Sequence, residues 1–108
     1  ITARDNWNEV VQLYDALLAF SPTPVVAINR ALAIAERDNP AAGLAALEEV
    51  AGDARLTEYQ PWWAARADLL ARTGNPQDAR HAYDIAIGLE RDESVRRFLD
   101  RRRTALAR

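Results

Sequence analysis

Arg30-Ala31, Ala35 and Asn39-Pro40 recur thirty-six positions later as Arg66-Ala67, Ala71 and Asn75-Pro76. In each copy a helical run closes in a short turn and Asn-Pro opens the next helix. A period in the thirties built this way marks stacked helical hairpins, each burying its apolar face on its neighbours. Arrays of this kind offer extended surfaces to partners, so the expected product is an interaction module.

The remaining composition supports one all-α domain over residues 1–108. A chain of 108 residues buries roughly two thirds of its unfolded surface without staples. It has none to use, because there is no cysteine for a disulfide or a thiolate zinc site. Hydrophobic residues reach 49%, with only 4 glycines and 5 prolines, the balance of a helical fold. The apolar runs are too short for a membrane span and the N-terminus lacks a signal-peptide pattern, so a soluble, cytoplasmic protein is expected. The chain starts at Ile1 and contains no methionine, which reads as a piece of a longer protein.

Six helices are expected from periodicity and caps. Asp5 caps the first, which runs to about Phe20 with Trp7, Val10, Val11, Tyr14, Leu17 and Leu18 on its apolar face. Ser21-Pro22-Thr23-Pro24 breaks it; Thr23 then caps a second helix to about Arg37, with Pro24 at its first position. Asn39-Pro40 starts a third that ends near Gly52, and a loop from Asp53 to Leu56 precedes a fourth over about Thr57 to Thr73, starting as late as Pro61. Gly74 stops that helix in a left-handed conformation and Asn75-Pro76 opens the fifth. A break at Arg91 leaves a sixth helix from about Asp92 to the end.

Trp63, Ala67, Leu70, Gly74, Ala79, Tyr83 and Ala86 follow the order and spacing of the tetratricopeptide pattern. Ala31, Ile34, Gly43, Leu47 and Val50 fit it more loosely, with Gly43 in the place of Ala79. The first helix, with Val10, Tyr14, Leu17 and Pro22, resembles the second helix of an earlier repeat. The expected fold is therefore a tetratricopeptide-like helical-hairpin array of about two and a half repeats plus a C-terminal capping helix.

A more specific resemblance covers essentially the whole chain. Trp7, Leu13-Tyr14-Asp15, Pro22, Pro24-Val25-Val26, Asn29-Arg30-Ala31, Ala42-Gly43-Leu44, Tyr59, Arg66-Ala67-Asp68-Leu69-Leu70, Gly74, Ala82-Tyr83, Phe98-Leu99 and Arg101-Arg102 resemble the C-terminal extension of a group of extracytoplasmic-function RNA polymerase sigma factors. The Pro-x-Pro-Val-Val segment leading into Asn-Arg-Ala is its most specific part. The resemblance implies a regulatory domain that modulates transcription initiation through contacts within the sigma factor or with core polymerase. It implies no cofactor, and promoter recognition would belong to other domains.

Catalytic chemistry has no constellation to work with. His81 is the only histidine, flanked by Asp78 and Asp84 with neither serine nearby in sequence, and reads as a solvent-facing side chain. Glu48-Glu49 and Asp92-Glu93 point to different helix faces, so no metal set forms, and the glycines are isolated rather than gathered in a phosphate loop. The expectation is a non-enzymatic protein with no small-molecule substrate.

Recognition features remain. Adjacent helical residues lie about 100° apart, so Trp63 is placed in the core and Trp62 is left partly exposed, either as a candidate interface residue or folded over the inter-repeat loop beside Leu56 and Tyr59. Arg30 and Arg66 occupy positions where the generic repeat is apolar and need acidic partners. An ion-pair ladder is expected, Asp15 to Arg30, Glu48 to Arg66, and Asp84 to Arg101 or Arg102. Residues 91–108 hold seven arginines against three acids, whereas residues 1–90 hold seven against thirteen. Arg96, Arg97, Arg101, Arg102, Arg103 and Arg108 thus form a basic cap on an acidic body, with Phe98 expected in the core. With a net charge of −2, docking on an acidic protein surface is favoured over DNA. The competing function is a free-standing adaptor that holds a peptide in a concave groove through Asn29, Glu36, Asp68 and Arg72.

Overall fold

The computed structural model describes residues 3–106, which form six α-helices and, among the described residues, no strand. They are α1 (Ala3–Phe20), α2 (Pro24–Arg37), α3 (Pro40–Glu48), α4 (Gln60–Arg72), α5 (Pro76–Leu89) and α6 (Glu93–Thr104), with a 3-10 turn at Ala54–Leu56 before α4. No helix among them is long and apolar enough to cross a membrane. Arg108 lies outside the described residues. The chain divides into two units, the first through Ala54 and the second from Arg55, and consecutive helices pair within each.

Local chemistry explains most helix ends. Thr23 Oγ1 accepts from the Val26 N–H at 3.3 Å, and Asn39 Oδ1 from the Ala42 N–H at 2.8 Å. Each cap is followed by a proline whose missing N–H costs the first turn nothing. Asp92 caps α6 by accepting from the Ser94 and Val95 N–H groups. Gly74, at φ 79°, closes α4 in a Schellman turn: the Asn75 N–H reaches the Leu70 carbonyl at 2.9 Å and the Gly74 N–H the Ala71 carbonyl at 3.3 Å.

Three boundaries and one cap differ from the sequence expectation, among them the end of α6, which stops at Thr104 short of the chain end. α1 already runs from Ala3, so Asp5 sits in its first turn, where a carboxylate favours the helix dipole, instead of capping it. α3 ends at Glu48, four residues early, and the N–H groups of Val50, Ala51 and Asp53 close four-residue turns by donating to carbonyls three positions back. Glu48 and Glu49 place two carboxylates at the negative end of that helix, which disfavours its extension. Asn75 stands at the start of α5 but its side chain turns back to donate to the Thr73 carbonyl and hydroxyl instead of capping. Asn39→Ala should therefore lower stability by about 1 kcal/mol, and Asn75→Ala by only a few tenths, about 0.3 kcal/mol. Urea melts of the two variants check the contrast, and equal losses would refute it.

In the first unit Val11, Ala33 and Ile34 form a buried cluster, with Trp7, Val10, Tyr14, Ala42 and Ala46 packed around it. Leu17 does not join it; with Leu13 and Phe20 it forms an exposed apolar stripe on α1, Phe20 being 90% exposed. α2 and α3 approach too closely at Gly43 to leave room for a Cβ, over Ala31 and Ala35. In the second unit Ala67, Ala82, Tyr83, Ala86 and Leu99 make the core, lined by Trp63, Ala64, Ile87, Val95 and Leu106. Ala79, thirty-six positions after Gly43, is fully buried.

Candidate protein-interaction surface

α6 supplies the basic surface, and its rotation about its own axis decides which arginines are available. Leu99 is 4% exposed and Phe98 is 51% exposed, the reverse of the expectation that Phe98 is core. At 100° per residue, burying Leu99 instead of Phe98 turns the whole helix by one position. Arg103, one turn beyond Leu99, then faces α5, while Arg101 points away. Accordingly Asp84 pairs with Arg103, and not with Arg101 or Arg102 as expected. Arg103 also holds Asp100 on its own helix. A cavity of about 310 Å³ lies beside this pair, lined by Arg80, Asp84, Arg103, Thr104 and Leu106.

Arg102 is committed as well. Its guanidinium lies 3.2 Å from Asp68 and 5.9 Å from the centroid of the Phe98 ring. A hydrogen bond to the Tyr83 hydroxyl, supported by the Asp68 charge, holds its pKa above the ordinary arginine value. Asp68 is in turn 3.4 Å from Arg72, so two of the four residues expected to hold a peptide are engaged in ion pairs within the second unit. Asn29 and Glu36 are exposed two turns apart on α2, with half-buried Leu32 and buried Ala33 between them. The paired state of Asp68 weakens the peptide-groove reading.

By contrast, the side chains of Arg96, Arg97 and Arg101 are exposed and have no carboxylate partner among the described residues. Arg97 and Arg101 sit one turn apart on the outer face, with Phe98 beside them.

In the first unit the Asp15 to Arg30 pair forms as expected, at 2.6 Å, and Arg30 also reaches Glu49 at 3.9 Å. Half-exposed pairs of this kind contribute about 1 kcal/mol or less. Glu48, exposed at the end of α3, and Arg66, half-buried on α4, belong to different units. A further cluster was not foreseen: Arg37 donates to Asn8 at 3.0 Å and to Asp38 at 2.9 Å, and Arg4 reaches Asp38 at 3.3 Å. The Arg37 hydrogen bond, helped by the charges of Arg37 and Arg4, holds the Asp38 carboxyl below its usual range despite its place at the C-terminal end of α2. The Arg37-Asp38 dipeptide was the available signal.

Trp62 is the principal correction. It is 4% exposed, while Trp63 is half-buried and donates its indole N–H to the Thr57 carbonyl at 3.0 Å. α4 is buried along two stripes, Trp62-Ala65-Leu69 and Trp63-Ala67-Leu70, and the single-face assumption assigned the surface to the wrong tryptophan. Trp62 is therefore a packing residue. His81 is exposed, and among the described residues no three His, Cys, Asp or Glu side chains are grouped to hold a metal ion.

No family model and no solved structure matches the chain. Over 94 residues it is 38% identical to an uncharacterized protein of Rhizobium meliloti (strain 1021), a match that covers 87% of this chain and 22% of that protein, so the chain spans about a fifth of its relative's length.

Proposed function

We propose that the chain is a tetratricopeptide-like regulatory domain of an extracytoplasmic-function sigma factor, modulating transcription initiation through protein contacts within the sigma factor or with RNA polymerase. One observation carries the repeat reading. Ala31 and Gly43 are buried on α2 and α3, and Ala67 and Ala79, thirty-six positions on, are buried on α4 and α5. Small residues at equivalent buried positions are what repeated close helix crossings need. The open stripe of Leu13, Leu17 and Phe20 on α1 is the face that a neighbouring helix of such an array would cover. The sigma-factor assignment itself rests on the resemblance of the Pro24-Val25-Val26 and Asn29-Arg30-Ala31 segments. A relative several times longer, in which the matching segment is 22% of the chain, is compatible with a domain of a larger protein. On this reading the domain works in the cytoplasm and performs no catalysis.

The test is transcription in vitro with core polymerase, comparing the intact parent sigma factor with one lacking the segment that corresponds to this chain. Promoter-directed transcript should fall about tenfold, equivalent to about 1.4 kcal/mol. Unchanged transcription by a truncated parent that is shown to be folded would remove the regulatory role.

A further inference from the structure

The arginines of α6 divide into two groups with different tasks. Arg102 and Arg103 are held by Asp68, Asp84 and Asp100, and stabilise the packing of α6 on its unit. Arg96, Arg97 and Arg101 have exposed side chains with no carboxylate partner among the described residues. The ion pairs that hold α6 on its unit do not include them. A cation near a helix C-terminus benefits from the dipole, which explains Arg101 in the last turn. Arg96 and Arg97 lie in the first half of the helix, outside that effect. Arg97 and Arg101 are also like charges at one-turn spacing, an arrangement that weakens a helix slightly. Solubility does not account for Phe98 either, since a half-exposed phenyl ring among cations adds apolar surface to water.

We infer that the outer face of α6, Arg97 and Arg101 around Phe98 with Arg96 at its edge, is a docking surface for an acidic amphipathic helix of a protein partner. Guanidiniums pair with carboxylates in charge-assisted, often bidentate hydrogen bonds. An exposed aromatic flanked by arginines matches the residue types that dominate interface hot spots. The occupant therefore needs carboxylates spaced to meet Arg97 and Arg101 and an apolar side chain between them to cover Phe98. Nucleic acid fits less well. Exposed Glu93 and Asp100 lie on the same helix and confine the positive charge to a patch of three arginines, enough to meet a short acidic segment but not a phosphate backbone tracked over many contacts. A protein of net charge −2 also lacks the broad positive field that multiple phosphate contacts require. This inference deepens the proposed function and rests on the chain being an interaction domain. It requires no polymerase for its test.

The experiment measures binding of a fluorescein-labelled amphipathic helical peptide, with glutamates flanking a leucine stripe, to the full chain by anisotropy. A glutamine-for-glutamate copy and a labelled DNA duplex are compared alongside. Saturable binding should weaken about tenfold or more in Arg97→Glu/Arg101→Glu, and severalfold, about fivefold, in Phe98→Ala. The glutamine copy should bind weakly, and amide shifts on peptide addition should centre on Ser94, Arg97, Phe98 and Arg101. If the charge-reversed variant loses helicity, Arg97→Gln/Arg101→Gln and the shift map of the unmodified chain carry the same decision. Absence of saturable peptide binding, shifts centred on another helix, or a duplex bound more tightly than the peptide would each overturn the inference. Failure here leaves the transcription test untouched, whereas failure there leaves a peptide-binding surface without its sigma-factor setting.

Discussion

Trp62→Ala is expected to cost about 3–5 kcal/mol of folding stability, a large part of what a domain of this size possesses. The indole is 4% exposed, and its removal both returns apolar surface to water and leaves a cavity too large for its surroundings to close. Trp63→Ala should cost less, about 2 kcal/mol, because that ring is half-buried and loses one hydrogen bond, to the Thr57 carbonyl. Urea denaturation followed by helical circular dichroism orders the two variants. Iodide quenching of the same two variants with Trp7→Phe added, each of which then keeps a single tryptophan, gives an independent reading, with Trp62 the shielded one. A larger loss at Trp63, or efficient quenching of Trp62, would restore the assignment made from the sequence pattern.

The tryptophan pair shows where sequence reasoning is strong and where it fails. Helix ends were legible because they depend on residues within a few positions. Thr23-Pro24, Asn39-Pro40, Gly74 and Asp92 act through their own backbone geometry and the next turn. Rotation about a helix axis was not legible where neighbouring residues compete for the same buried position. Trp62 and Trp63, and again Phe98 and Leu99, offer two adjacent apolar side chains, and the flanking arginines on α6 give no polar stripe to break the tie. The choice is made by the space available: Leu99 joins Ala67, Ala82, Tyr83 and Ala86, a site lined by small residues and one tyrosine, while Phe98 stays outside under Arg102. That single rotation then dictates the ion pairs. Arg103 takes Asp84, Arg102 takes Asp68, and Arg96, Arg97 and Arg101 are left on the surface. The basic character of α6 was thus visible in the sequence, but the members that form the candidate surface were separable from the structural ones only after its register was known.

Gly43→Ala and Gly88→Ala should change stability in opposite directions, although both place a methyl group on a helix. In an unobstructed helix the substitution gains up to about 1 kcal/mol, since alanine loses less conformational entropy than glycine. Gly88, in the last turn of α5, has nothing within 4 Å of a built Cβ, so its variant should realise most of that gain. At Gly43 the same Cβ would lie 2.5 Å from the Ala35 Cβ, 2.9 Å from the Ala31 carbonyl oxygen and 3.0 Å from the Ala35 Cα. None of these atoms belongs to a flexible side chain that can swing aside, so relief requires α2 and α3 to move apart. Overpacking of this kind costs about 1–3 kcal/mol and, set against a propensity gain of up to about 1 kcal/mol, leaves an expected net loss of about 1 kcal/mol. The equivalent position in the second unit carries Ala79, fully buried, so α4 and α5 accept a methyl where α2 and α3 do not. Gly43→Ala combined with Ala35→Gly should lose less than the sum of the two single changes, because it removes the nearest obstructing atom while leaving the Ala31 carbonyl in place. Urea melts of the three variants decide the matter: a stabilised Gly43→Ala protein would mean that the helices separate freely, and that the small residues at this crossing do not set its distance.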